Sequence, residues 1–167
     1  MPKTIRCYDY VNRPYEQVCE SLVSDSNSVF RDATLSAESR AENVAAGLHV
    51  KIAGFDVAKN IRIAVRSRTE IETQAGRKMT LLLHWQAAEN AGLFPSMNAQ
   101  LDLYPLSSTE TQLDFYGEYE PPLGLMGKAI DAIIGHRIAE ASVHQFVQEV
   151  AFYLRENIPS NPDQERV

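Results

Sequence analysis

Two periodicities divide this chain. From Leu48 to Tyr119 apolar residues recur at every second position: Leu48, Val50 and Ile52; Ile61, Ile63 and Val65; Met79, Leu81, Leu83 and Trp85; Met97, Ala99, Leu101 and Leu103; Leu113, Phe115 and Tyr119. Successive side chains of a strand point to opposite faces, so each run predicts a strand with one apolar and one polar face. The turn-prone stretches AGFDVAKN, TQAGRK, AENAGLFPS and PLSSTET separate the runs, which together predict a curled antiparallel meander. Upstream, TIRCYDYV (Thr4 to Val11) is β-branched and aromatic with the same alternation and predicts a first strand. Asn12 then offers an N-cap and Pro14 suits a first turn, while Val18, Cys19, Leu22 and Val23 fall at helical spacing, predicting a short helix that ends near Ser24. The following DSNSVFRDATLSAESRAENVAAG is polar and weakly patterned, and is expected to hold a second short helix or a loop.

The second periodicity begins near Leu125. Apolar residues at Met126, Ala129, Ile130, Ile133, Ile134, Ile138, Ala141, Val147, Val150, Ala151 and Leu154, with no internal proline, predict a helix to about Asn157. At helical rise it would run on the order of 45 Å, enough to cross a sheet. The order of strand, short helices, meander and long helix is that of an α+β domain in which the last helix covers the sheet's apolar face. Residues 1–158 are read as one domain and 159–167, with Pro159, Pro162 and the charged end DQERV, as a flexible tail.

Composition narrows the partners. A chain of 167 residues with 44% hydrophobic content has room for a real core. A formal net charge of -6, with 16 Lys and Arg, leaves no cationic surplus for phosphates and argues against nucleic acid. No stretch approaches the roughly 18 uncharged apolar residues of a spanning helix. The expectation is therefore a soluble, cytoplasmic monomer or homodimer without an integral membrane segment. Cys7 and Cys19 match no CxxC or zinc spacing and are expected as buried thiols. His49, His84, His136 and His144 form no HxH or HExxH, and no GxSxG, P-loop or GxGxxG occurs, so neither metal nor cofactor is called for.

The segment LFPSMNAQLDLYPL (Leu93 to Leu106), followed by TQLDFYGEYEPPLGLMGKAIDAIIGHRIAEASVHQFVQEVAFYL (Thr111 to Leu154), resembles the C-terminal half of the START-like or SRPBCC superfamily. This group of helix-grip proteins includes polyketide cyclases, lipid-transfer domains and Bet v 1-like pathogenesis-related proteins. YDYVNRPYEQVCESL is similar to the superfamily's opening strand and helix. The resemblance implies a helix-grip fold: a curved antiparallel β-sheet wrapped around a long C-terminal α-helix, with one or two short helices after the first strand. It speaks to the fold and hardly to the activity. In such a fold YGEYEPPLGLMGK (Tyr116 to Lys128) is the corner into the long helix. Pro121 and Pro122 end the strand and Gly124 and Gly127 permit a close turn; Leu123, Leu125 and Met126 are alternatively a hydrophobic gate.

The implied cavity lies between the sheet and the long helix. Met79, Leu81, Leu83, Trp85, Met97, Leu101, Phe115 and Tyr119 fall on the inner register of the strands, either as core or as ligand contacts, and the Tyr119 phenol could hydrogen-bond a buried ligand. On the helix, Met126, Ile130, Ile133 and Ala141 mark the expected face, with Arg137 and His144 on it and Glu140 at its edge. Spaced three and four apart, Arg137, Glu140 and His144 are the catalytic candidates, or else a solvated charge cluster. His84 and Gln86 are expected to face outward, as are Arg62, Arg66 and Arg68, lined up on one strand face. Three functions remain open: binding of a small hydrophobic or amphipathic, lipid- or polyketide-like ligand; a cyclase- or aromatase-like enzyme; and an interaction module whose interior is filled by Met79, Leu83, Phe115 and Ile133.

Overall fold

The computed structural model describes residues 2–47, 61–87, 96–119 and 132–160. Its elements are β1 (Lys3–Val11), α1 (Tyr15–Ser24), α2 (Ser26–Gly47), β2 (Ile61–Thr73), β3 (Gly76–Ala87), β4 (Met97–Pro105), β5 (Thr111–Tyr119) and α3 (Ala132–Asn157). The expectations on Leu48 to Ile52, His49, the Pro121 to Gly127 corner, Met126, Ile130, the Ile133 and Gln86 side chains and the end of the tail lie outside the described residues.

The strands form one antiparallel sheet in the order β1-β5-β4-β3-β2. Alternation fixes its two faces. Rows such as Ile63, Trp85, Met97 and Tyr119, or Leu81, Leu101, Phe115 and Cys7, run across it in register. Apart from Ile63, these side chains are buried on the face that α3 covers. The β2–β3 turn follows from TQAGRK, where Gly76 takes φ 114°, a conformation L side chains rarely adopt.

The weakly patterned segment is neither a short helix nor a loop: α2 is a 22-residue helix. Its buried positions are Val29, Phe30, Ala33, Thr34, Ala37 and Ala41. Alanine and threonine at helical spacing carry little hydrophobic contrast, which is why the pattern reads as polar. Their small size lets α2 lie close along α3, its main contact. Stacking of Phe30 on Phe146, with ring centroids 6.0 Å apart, joins the two helices.

Two further expectations change. Asn12 does not cap α1, which starts directly after Pro14; the Asn12 side-chain oxygen instead accepts a 3.1 Å bond from Arg13. Nor do the three arginines of β2 share a face. The register slips between Val65 and Ser67, leaving Arg66 as a bulge residue, so Arg62 pairs with Gln86 but Arg68 with the core residue Leu81. One extra residue inverts the alternation, and Arg68 and Glu70 stand on the α1 side of the sheet. Cys7 and Cys19 are free and buried.

Arg13 ties the first loop to the end of α3. Its Nε donates to the Ile158 carbonyl at 2.7 Å and one terminal nitrogen to the Arg155 carbonyl at 2.8 Å, using two acceptors that no further helical turn would satisfy. Among the described residues no helix is long and apolar enough to cross a membrane.

Candidate functional site

The inner face of the sheet ends, on β5, in a tyrosine. Strand parity places Tyr119 beside Met97, and the side chain is 4% exposed. Two residues earlier Gly117 sits opposite Ala99; a Cβ there would come within 2.6 Å of the Met97 sulfur and 3.0 Å of the Phe115 ring. The glycine makes the room in which Met97 packs beneath Tyr119.

Above this row stands His136, in the second turn of α3 and half-buried. Its ring lies nearly parallel to that of Tyr119, 12° between planes with centroids 6.0 Å apart, and Nδ1 is 2.6 Å from the phenol oxygen. With Nδ1 unprotonated the phenol donates and Nε2–H is left to donate elsewhere; with Nδ1 protonated the phenol accepts and its own hydrogen is released. Burial first, and then the negative charge of Glu140 one turn further along α3, push the Tyr119 phenol up to about 12. Tyr119 therefore stays protonated at neutral pH and serves as a hydrogen-bonding hydroxyl rather than as a phenolate base.

Met79, Leu81, Leu83, Trp85, Met97, Leu101, Phe115 and Tyr119 all lie buried on the covered face. The helix residues are distributed differently. Arg137, Glu140 and His144 are exposed and Ala141 is half-buried, while Ile138, Ala139, Ser142, Val143, Phe146 and Val147 form the buried stripe. That stripe is turned from the expected one because α3 is covered on two sides, by the sheet and by α2. Its markers include Ala139 and Ser142, which hydrophobic patterning does not count. One residue of phase, about 100°, separates Arg137 from His136 and decides which of them meets Tyr119.

Sequence reasoning thus missed His136 and Gly117. For Gly117 a signal existed, since a lone glycine in an alternating strand marks a close approach. For His136 none did. Further along α3 the interior is occupied by rings: Trp85 lies 5.3 Å and Phe115 6.2 Å from Phe146, and all three are at most 1% exposed.

A strand, two helices, an antiparallel run of strands and a long C-terminal helix laid across the sheet make up the helix-grip architecture that the sequence resemblance implied. No protein-family profile and no curated relative matches the chain. Solved structures similar to it include the Zhui aromatase/cyclase from Streptomyces sp. R1128, at 12% identity and TM-score 0.47, covering 96% of this chain and 98% of that one. A START superfamily protein from Mycobacterium smegmatis is similar at 11% identity and TM-score 0.47, covering 92% and 97%. Norcoclaurine synthase from Thalictrum flavum is similar at 10% identity and TM-score 0.44, covering 96% and 90%. The helix-grip description of this chain stands on its own topology.

Proposed function

We propose that this protein binds a small hydrophobic or amphipathic molecule between the sheet and α3, at the end of the interior where Tyr119 and His136 meet. The observation that carries this reading is a hydrogen-bonded phenol–imidazole pair on an otherwise apolar row: Ile63, Trp85 and Met97 lead across the sheet to Tyr119. A buried phenol bonded to a half-buried imidazole at the end of an apolar row is suited to orienting one carbonyl or hydroxyl of a ligand whose remainder is held by dispersion and burial. The test is to purify the chain natively, compare intact mass under native and denaturing conditions, and identify any extracted passenger. Tyr119→Phe and His136→Ala should each weaken rebinding of that passenger about tenfold, the size of one buried hydrogen bond lost. A chain that carries no passenger and binds neither fluorescent lipids nor polyaromatic probes overturns the reading.

The same pair supports a second, cyclase-like reading. A phenol and an imidazole in direct contact, with Glu140 a turn away, could pass a proton to or from an enolisable ligand. In this reading Tyr119 and His136 touch substrate, Glu140 acts on Tyr119 through its charge, and Arg137 and His144 stand at the exposed rim. A change in the mass or absorbance of the ligand on incubation, absent in His136→Ala, would establish turnover; an unchanged ligand leaves binding as the function.

A further inference from the structure

A second cavity lies between α1 and the β2–β3 hairpin, a groove of about 370 Å³, at the lower end of the range for small-molecule sites. The bulge at Arg66 creates it. Arg68 pairs with Leu81 and Glu70 with Met79, both core residues, so the shifted register turns Arg68 and Glu70 onto the covered face, where α1 stands opposite. From its side α1 presents Glu16, Cys19, Glu20 and Val23, spaced three and four apart and therefore on one helix face. Cys19 and Met79, both buried, form the floor, and Val23, 46% exposed, is an apolar wall open to solvent.

The charges along the groove fall into two levels. Near the hairpin turn Arg77 spans it: one terminal nitrogen donates to Glu70 at 2.6 Å, the other lies 3.7 Å from Glu16, and the guanidinium sits 5.8 Å from the centre of the Tyr15 ring, whose hydroxyl donates to Glu70 at 3.2 Å. One level along, the groove is not spanned. Glu20 follows Glu16 by a helical turn, about 6 Å, and Arg68 is two strand residues, about 7 Å, further from the hairpin turn than Glu70. Both line the groove, and among the described residues neither side chain makes an ion pair or hydrogen bond, so the two do not meet across it. A simple cation is repelled there by Arg68 and a simple anion by Glu20. A ligand that carries both charges meets each with its opposite.

We propose that the α1–β2 groove is a binding site for a free α-amino acid with an apolar side chain, its ammonium on Glu20, its carboxylate on Arg68 and its side chain over Cys19, Met79 and Val23. The planar guanidinium of Arg68 offers the carboxylate two parallel N–H donors. The Arg77 bridge closes the groove toward the hairpin, which suits a single amino acid rather than a chain running through. The site is separate from the Tyr119–His136 pair: on β3, Met79 stands six residues, or about 20 Å, from Trp85 of the Tyr119 row.

The test titrates the full chain with leucine and with two analogues that each lack one charge, isocaproate without the ammonium and isoamylamine without the carboxylate, by calorimetry and, independently, by the rise in Tm. Leucine is expected to bind, and each analogue about fivefold more weakly, the scale of one exposed ion pair. Arg68→Ala and Glu20→Ala should each raise the leucine Kd about fivefold, and the reversals Arg68→Glu and Glu20→Arg about tenfold or more. Combining the two reversals restores one charge of each sign and should regain leucine binding, which a merely structural effect of either change would not do. Both side chains are exposed, so the variants retain the fold, which circular dichroism verifies. Absence of leucine binding by both methods overturns the proposal, as does equal affinity for leucine and either analogue. A leucine Kd that ignores the Arg68 and Glu20 variants but follows Tyr119→Phe also overturns it, by putting the ligand in the interior and leaving the proposed function standing.

Discussion

Replacing Phe146 by alanine removes the ring on which the interior is organised. Phe146 is 0% exposed and packs against Phe30 at 6.0 Å, Trp85 at 5.3 Å and Phe115 at 6.2 Å, contacting α2, β3 and β5 at once. Phe-to-Ala truncation in a core costs about 3–5 kcal/mol. That range already contains the lost contacts, and three aromatic pairs, each worth about 0.5–1.5 kcal/mol beyond its buried area, place the expected loss in its upper part, at about 4–5 kcal/mol. Against a typical stability of about 5–15 kcal/mol the variant remains folded but marginal. At about 2–4 °C per kcal/mol for a chain of this length, Tm should fall by about 10–15 °C. Urea denaturation followed by Trp85 fluorescence and far-UV circular dichroism measures the loss, with an unchanged m-value showing that the folded state stays compact. The void left is benzene-sized and apolar, so benzene should raise the variant's Tm and leave the parent's unchanged. A loss below about 2 kcal/mol, or an equal benzene effect on the parent, would refute the reasoning by showing the ring cluster to be loosely packed.

Three other perturbations test separate parts of the structure. Arg13→Ala strips the acceptors Ile158 O and Arg155 O of their charged donor and should cost about 2–4 kcal/mol in chemical denaturation; a loss below about 1 kcal/mol would deny the staple its role. Gly117→Ala drives a Cβ toward the Met97 sulfur, where overpacking costs about 1–3 kcal/mol, and Met97→Ala should relieve part of it in a double-mutant cycle; strictly additive losses would contradict the close contact. Burial first, and then the charges of Asp114, Asp9 and Glu140, push the Cys7 thiol from 9.0 up to about 12. Between those values the unfolded chain has lost a proton that the folded chain keeps, so this contribution is fully present below about pH 9 and is lost as pH rises toward 12. The alkaline fall of the urea midpoint should therefore flatten in Cys7→Ala, and identical slopes would rule out Cys7 as its source.

How much of this was legible beforehand differs between strands and helices. A strand has only two faces, so counting parity from Met79, Leu81, Leu83 and Trp85 to Met97, Leu101, Phe115 and Tyr119 identified the covered face from the sequence by itself. Parity failed only where a bulge inserted Arg66 and carried Arg68 to the other side, an event no alternation announces. The two opening elements and the end of the last helix at Asn157 were likewise set by local signals: β-branched alternation, Pro14, and a proline-free apolar run.

A helix, by contrast, has a continuous face whose phase depends on what lies against it. α2 looked polar because its contact stripe is Ala33, Ala37 and Ala41, and those alanines have meaning only opposite α3. With α2 in place, α3 is covered on two sides and its buried stripe centres on Ser142, Val143 and Phe146, which leaves Arg137, Glu140 and His144 facing solvent and turns His136 onto Tyr119. Sequence periodicity thus determined which residues are inward on the sheet, because that choice is binary and local. Only the tertiary structure decided which polar groups meet over it, because a helix's rotation is fixed by the sum of its neighbours.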